Sequence, residues 1–579
     1  RWSFMTCHSI NINSHSQALQ HRSYSMRSTT VTAGLYKSLC SNSNVQTTIR
    51  RVDSMGIYLN PGKLLFKEAV NSQIYVDKSG LIEYTNNAIG TEQKLLCVSR
   101  PRRFGKSMAA NMLVAYYEKS EDSHDIFDNL YISGQSSYEQ HINKYDVLFL
   151  NIQRFFSRVN NKSDMIAYMQ KKIINDLRSE FNEYISAEAD NLVDVFEELY
   201  AKTKKQFIFI IDEWDCIFRE LKDDMELQKS YLDFLRDLFK GQPYTALVYM
   251  TGILPIKKYG THSALNMFDE YSMTDMSTLG SFTGFTADET TALCNEYCID
   301  IDEMNRWYNG YIVNGIHIYS PKSVVDSIRH KNFASYWTST ETYEALRSYI
   351  DIDFDGMKNV ITRLIADEHI GIDITSFSND MTTFKSKDDV LTLLIHLGYL
   401  GYDPISKKTF IPNEEIRGEF ITSINVSRWD EVTVAISNSE ALLDATLRKD
   451  ADTVARAIDK VHSDTTSILT YNNENSLSCV ISLAYYSARN YYTLVREMPS
   501  GKGFADIVFI PHKNINRPAI VVELKWNSSA DAAIEQIRSK NYTDALKGYS
   551  GDIILVGINY DKTTKKHSCV IESLAHKIN

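Results

Sequence analysis

Residues 94–117 read KLLCVSRPRRFGKSMAANMLVAYY. An apolar run from Leu95 to Ser99 enters a positively charged loop, and a helical pattern leaves it at Lys106, with Met108, Met112, Leu113 and Tyr116 at core-like spacings. Strand, loop and helix in that order are the setting of a phosphate-binding loop. Backbone N–H groups and the helix N-terminus surround phosphate oxygens, a lysine reaches the outer phosphates, and the next hydroxyl holds Mg²⁺. Gly105, Lys106 and Ser107 supply the end of the GxxxxGK(S/T) signature. Its first glycine falls on Arg100, and Pro101, Arg102 and Arg103 fill the loop. On these residues alone two readings stay open, nucleotide binding or a chance GKS in a basic turn.

Three more segments extend the pattern. YDVLFLNI (145–152) reads as a buried strand, and QFIFIIDEWD (206–215) is an apolar run ending in Asp212 and Glu213. Such a strand suits nucleotide hydrolysis, with Asp212 holding the Mg²⁺ hydration shell and Glu213 orienting or deprotonating the attacking water. Trp214 and Asp215 have a plainer reading, a packed strand-to-helix turn with a cap. TALVYMTG (245–252) places Thr251 either beside the γ-phosphate as a polar sensor or at a strand end satisfying loop backbone. These strands, with phosphate chemistry at their C-terminal ends, predict an α/β P-loop NTPase-like core.

A second constellation lies near the C-terminus. Asp506 sits in GFADIVFIP (503–511), and Glu523 and Lys525 sit in RPAIVVELKW (517–526). Strand alternation puts Glu523 and Lys525 on one face, where an acid from the preceding strand can meet them. Two carboxylates can hold Mg²⁺ or Mn²⁺ while a lysine orients water or neutralises phosphate charge; a strand-end salt bridge is the other reading. Between the two constellations, residues 389–420 read as helix, two short strands around DPISK, and a helix from Asn413, which predicts a winged-helix-like connector. There His396 on an apolar face and Asn413 to Glu415 as a cap have structural readings.

Composition narrows the partners. Lys+Arg 62 against Asp+Glu 73 gives a net charge of -11, which argues against a wholly basic nucleic-acid surface and leaves room for a local cleft. The 8 cysteines are too scattered for a disulfide scaffold or zinc cluster, so a reduced compartment is expected. No stretch of 18 apolar residues suggests an ordinary membrane span. The first fifty residues hold ten serines, five Lys/Arg and no Asp or Glu; they are expected to be a disordered or spurious leader, a targeting peptide, or an ordered extension.

Taken in order, YVDKSGLI (75–82), VSRPRRFGKS (98–107), FIIDEWD (209–215), TGILPIKKYG (251–260), FTGFT (282–286), WYNGY (307–311), IYSPKSV (318–324) and YWTST (336–340) resemble the AAA-ATPase-like family. That family is commonly joined to a C-terminal PD-(D/E)XK nuclease-like domain, and the likeness runs from Gly56 to Asn579. Its loop is also of the SRPRRFGKS type, without the first glycine. The resemblance implies ATP as ligand, Gly105, Lys106 and Ser107 as the phosphate loop, and Asp212 and Glu213 as the hydrolytic acids. Arg102 or Arg103 would stabilise phosphate charge or anchor the loop to Asp212 or Asp215. A helical lid would start at Phe282 to Thr286, and the aromatic patch at Tyr336 and Trp337 is core or a base-stacking platform.

Asp506, sixteen residues, then Glu523-x-Lys525 resembles the nuclease core, with Ala505 in place of the proline. By the same likeness Glu474 is a further metal-coordinating acid or a helix cap, Gln536 points back to the site, and Tyr542 packs. The expected domains are a leader (1–55), a P-loop AAA-ATPase-like domain (56–280), a helical lid (281–385), a winged-helix-like or helical connector (386–460), and a restriction-endonuclease-like α/β domain (461–579). The expected function is ATP binding and hydrolysis coupled to Mg²⁺- or Mn²⁺-dependent endo- or exonuclease action on DNA in the cytoplasm. The alternative is an ATP-dependent switch that meets a protein partner or a second copy of itself through a catalytically inactive nuclease fold.

Overall fold

The computed structural model describes residues 56–574 apart from 257, 260–261, 264, 276–277, 338–342, 352–355, 378–383, 466–467, 469–473, 501–502, 514, 541–545, 547–548 and 550. The leader and Tyr542 lie outside the described residues. Strands β1 (Leu95–Ser99), β2 (Asp146–Asn151), β3 (Phe207–Asp212), β4 (Thr245–Gly252) and β5 (Asp269–Tyr271) form a parallel sheet in the order β2-β3-β4-β1-β5. Every residue of β1, β3 and β4 is buried. Layers cover both faces of such a sheet, which is why these strands read as unbroken apolar runs rather than alternating ones.

The strand order decides the chemistry. The loop after β1 and the acids after β3 come from strands that are not neighbours, because β4 lies between them. Register brings their ends level: Val98 pairs with Thr251, Thr251 with Asp212, and Asp212 with Asn151. Helix α1 (Lys106–Tyr117) leaves from that row, starting at Gly105 with φ of 81°.

The turn after β3 departs from its plain reading. Asp215 occupies the position before the helix Cys216–Glu220 but makes no capping bond with its side chain. Instead Asp215 Oδ2 accepts from Ile253 N at 3.0 Å, Leu254 N at 2.9 Å and Arg219 Nε at 3.1 Å, tying the ends of β3 and β4 together. The Trp214 ring is buried against Gly252, where an added Cβ would stand 2.6 Å from the indole and 2.8 Å from Asp215 Oδ1.

The segment expected to be a lid packs helices Ala287–Tyr297, Ile301–Tyr308 and α2 (Pro321–His330) on a small antiparallel sheet of Phe285–Thr286, Tyr311–Val313 and Ile316–Tyr319. The connector runs helix Lys387–Leu397, strands Gly401–Asp403 and Lys408–Phe410, then helix Glu414–Val426, with Ile370–Gly371 as a third strand. Asn413 caps the last helix through Ile416 N at 3.0 Å. Glu415 does more than a cap requires. It accepts from Tyr336 N at 2.7 Å, Trp337 N at 2.8 Å and Ser323 Oγ at 2.8 Å, stitching connector to lid, and burial pushes its pKa up to about 7.

The C-terminal sheet orders β6 (Tyr492–Ser500), β7 (Gly503–Pro511), β8 (Ala519–Trp526), β9 (Ile553–Asp561) and β10 (Lys566–Leu574) consecutively, with only β8 and β9 parallel. Helix α3 (Glu474–Ala484) precedes the sheet, and α4 (Ala530–Ser539) packs on the face that carries Val508, Val521 and Leu555. One apolar cluster runs from Phe209 and Trp214 through Trp337 and Leu391 to Ile507 and Val556, so the sheets share a continuous core.

Gly252→Ala should therefore destabilise the chain by about 1–3 kcal/mol, because the new methyl meets a packed indole and a buried carboxylate. Denaturant unfolding would read this as a lower midpoint at unchanged slope; an unchanged midpoint would contradict the packing described.

Candidate nucleotide and metal sites

The loop between β1 and α1 is shaped by its neighbours rather than by glycine alone. Where the familiar signature has its first glycine, Arg100 turns inward: the residue is 1% exposed and its Nη1 donates to Ser99 O at 2.9 Å and Tyr271 O at 3.1 Å, stapling β1 to β5. The Arg100 amide meanwhile donates to Gly252 O at 3.0 Å. Trp337 Nε1 donates to Arg102 O at 3.2 Å, and Gly284 N to Phe104 O at 2.8 Å. Phe104 stacks edge-on against Tyr311 at 5.1 Å, and Gly398 packs on Pro101. Residues of the expected lid and connector thus grip three loop residues beyond Arg100, namely Pro101, Arg102 and Phe104. Arg103 still sits at φ of 71°, the left-handed region that costs a non-glycine residue of order 1–2 kcal/mol.

The expected phosphate-site residues converge. Lys106 is buried, and its Nζ donates to Arg100 O at 2.9 Å and Pro101 O at 2.8 Å. Burial holds its ammonium down at about 8, opposed by the charges of Glu213, Asp215 and Asp212. Ser107 Oγ donates to Asp212 Oδ2 at 2.7 Å, and Asn151 Nδ2 reaches the same oxygen at 3.3 Å. Burial raises the Asp212 pKa, with the Ser107 bond pulling the other way. Thr251 is fully buried in the row between Val98 and Asp212 and is not on the cavity wall. Asp215 accepts from Arg219, and Asp212 from Ser107 and Asn151.

A cavity of about 970 Å³ opens over these groups, in the range that holds a cofactor-sized ligand. Its wall joins charged groups, Arg102, Arg103, Lys106, Glu213 and Arg219, to apolar ones, Ile74, Val76, Met112, Phe285 and Val325. Lys78 on the same wall binds Ser281 O at 2.7 Å and both Glu289 oxygens, at 2.7 and 2.6 Å, linking the lead-in segment to the lid. Arg219 and Lys78 were not singled out from sequence. The Asp215/Arg219 spacing of four on a helix was the legible signal for the first; nothing local marks the second.

At the other site, β7 and β8 pair only over Ile507–Phe509 and Ile520–Val522, and Asp506 and Glu523 stand where the pairing stops. Asp506 Oδ2 accepts from Leu524 N at 2.7 Å. Glu523 Oε1 accepts from Lys525 Nζ at 3.0 Å and from Gln536 Nε2, so these three meet, with Asp506 bonded to the next amide and near enough for its charge to act on Glu523. Gly557, opposite Glu523 on β9, lets α4 close on the sheet: an added Cβ would stand 2.3 Å from Ala530 O. Glu523 is 1% exposed, its Oε2 is buried with no hydrogen-bond partner, and burial followed by the nearby Asp506 charge pushes its pKa up to about 7. An orphaned buried carboxylate oxygen beside a second carboxylate fits a cation. Among the described residues no third His, Cys, Asp or Glu joins the pair. Glu474 begins α3, but its side chain lies outside the described residues.

Comparison with known proteins follows this division. A family model described as Predicted AAA-ATPase matches residues 66–261, and one described as PD-(D/E)XK nuclease superfamily matches residues 472–569. A curated protein of Azotobacter chroococcum mcd 1, "Uncharacterized protein in vnfD 5'region", is 24% identical over 292 residues, 46% of this chain and 51% of that protein. The chain therefore spans about half the length of that relative. A structure titled "Structure of the Aeropyrum Pernix ORC2 protein (ADPNP-ADP complexes)" aligns with a TM-score of 0.31 at 10% identity, over 62% of this chain and 98% of that one, a likeness too small to bear on function. Residues 66–261, with the loop and its two acids, thus form a predicted AAA-ATPase domain, and residues 472–569, with Asp506, Glu523, Lys525 and Gln536, form a PD-(D/E)XK nuclease superfamily domain.

Proposed function

We propose that the chain binds ATP with Mg²⁺ in the cavity above the loop and hydrolyses it. The observation that carries this reading is that Lys106 and Ser107 line a cavity walled by cations and apolar side chains, with Asp212 bonded to Ser107 just behind them. Lys106 would exchange its bonds to the Arg100 and Pro101 carbonyls for phosphate oxygens, and Ser107 and Asp212 would hold the cation. A bound divalent cation supplies charge neutralisation across the outer phosphates. Glu213 would orient the attacking water, and Arg102 and Arg103 would add positive charge at the loop. Thr251, behind the wall, would fix the position of Asp212.

For the C-terminal site the reading is a phosphodiesterase acting on DNA, with Asp506, Glu523 and, as a further acid, Glu474 holding Mg²⁺ or Mn²⁺. Lys525 and Gln536 would position Glu523 and the water. When bound, the cation supplies a water of lowered pKa and polarises a phosphate oxygen. A second reading is favoured by one observation, that Lys525 and Gln536 both donate to Glu523 Oε1 and so compete with a cation for that oxygen. It is a nucleotide-driven switch, in contact with a protein partner or a second copy, whose nuclease fold does not cut. Among the described residues no helix is long and apolar enough to cross a membrane; the cytoplasm is part of the proposal and rests on the scattered cysteines of the sequence.

Titration calorimetry should find MgATP binding weakened roughly 10–100-fold by Lys106→Ala, the range for losing a charge-assisted contact. Because phosphate favours the protonated lysine and burial holds it near about 8, wild-type binding at pH 8 should take up protons, read as a buffer-dependent enthalpy absent in K106A. Glu213→Gln should bind within about threefold of wild type yet lose about 10²–10⁴-fold in phosphate release. Unchanged affinity in K106A, or undiminished turnover in E213Q, would contradict the assignments.

At the C-terminal site a cation requires ionised Glu523, so Mn²⁺ affinity should fall about tenfold between pH 8 and pH 6 as the group protonates through about 7. Asp506→Ala should abolish that binding. Metal-dependent cleavage of linear, branched or single-stranded DNA should vanish in both D506A and K525A. Site-specific Mn²⁺ binding without any cleavage would favour the switch.

A further inference from the structure

A second buried cation shares the cavity wall with Lys106. The Arg219 side chain is 7% exposed and belongs to the short helix Cys216–Glu220. Its Nε donates to Asp215 Oδ2 at 3.1 Å, and its Nη2 donates to Glu213 Oε2. Asp215 is itself immobilised, being fully buried and bonded to the amides of Ile253 and Leu254. A chain of contacts therefore runs from the end of β4 through Asp215 and Arg219 to Glu213. Glu213 stands at φ of 58°, a backbone conformation that a non-glycine residue keeps only when its surroundings impose it.

Two cations compete for that carboxylate. Lys106 feels Glu213 more strongly than it feels any other charge, ahead of Asp215 and Asp212. Yet Lys106 Nζ is bonded to two loop carbonyls, and among the described residues it forms no ion pair with Glu213. Arg219 wins because its planar guanidinium spans two carboxylates at once, one of them rigid, which a single ammonium cannot do. Without it, attraction would draw Glu213 toward Lys106. That pair would neutralise the lysine and withdraw the carboxylate from the water it is to orient.

We propose that Arg219 is a positioning residue that holds Glu213 off Lys106, keeping the lysine for phosphate and the carboxylate for water. The inference rests on the nucleotide reading above and explains how a loop lysine and an acid on one wall avoid cancelling each other. Sequence alone assigns no such arginine, since Arg219 lies outside both motifs.

The test is a binding cycle with MgADP, which needs no turnover. Wild type, Arg219→Ala, Glu213→Gln and the double variant are titrated calorimetrically, with unfolding midpoints confirming that each is folded. R219A should bind about tenfold more weakly than wild type, and the double variant should return to within about twofold of E213Q, because the harmful pair needs the Glu213 charge. If R219A does not fold, Arg219→Gln, which keeps hydrogen bonding to Asp215 without the charge, takes its place in the cycle. Equal binding by wild type and R219A overturns the proposal and leaves the nucleotide reading intact. So does weak binding that persists in the double variant, which would make Arg219 a purely structural residue. Failure of wild type to bind any nucleotide removes both.

Discussion

The helix that follows β1 must bring a side chain to the end of β3 although β4 separates the two strands, and the Ser107 Oγ to Asp212 Oδ2 hydrogen bond is where it does. Everything at the nucleotide cavity follows from that constraint. It requires β1, β3 and β4 to end level, and the pairing of Val98, Thr251 and Asp212 delivers this. Level ends in turn require the turns to be tied, and Asp215 ties them through the amides that follow β4. Three charge-assisted hydrogen bonds to Asp215 Oδ2 offset part of the cost of burying that carboxylate.

The loop shows how tertiary contacts can replace local flexibility. A glycine-rich loop reaches its shape because its residues are free to; this loop is held by Trp337, Gly284, Gly398 and Gly252, contributed by the connector, the lid and the sheet. Arg100 can then occupy a glycine position, since its side chain points into the β1/β5 seam and away from the cavity. A loop gripped this way also feels its surroundings. Glu415 joins connector to lid beside Trp337, so a shift in either element bears on the Arg102 carbonyl and on the cavity wall. Such contacts give a bound ligand a physical route to the rest of the chain.

Much of this was legible in the sequence, and the limits have physical causes. Strands buried on both faces announce themselves as apolar runs, so β1, β3 and β4, and the acids at the end of β3, could be placed from the order of residues alone. The Glu523/Lys525 pair was also within reach, because strand alternation is a local rule, whereas Gln536 came only from the family likeness. Residues whose roles depend on distant partners escaped. Asp215 read as a helix cap and is instead a tie between strand ends; Glu415 read as a cap and is an interdomain stitch. Trp337 read as core, which it is, but no spacing rule could have aimed its indole N–H at Arg102 O. Lys78 reaches a helix more than two hundred residues away, a contact only the fold can show.

The most direct measurement is a crystal structure of the chain grown with saturating MgADP. The diphosphate should lie within hydrogen-bond reach of the Gly105 to Ser107 amides. Lys106 Nζ should have moved from the Arg100 and Pro101 carbonyls onto phosphate, and the base should lie against Ile74, Val76 or Phe285. A structure in which nucleotide is bound elsewhere, with Lys106 still on its two carbonyls, would contradict the central claim that this cavity is the nucleotide site.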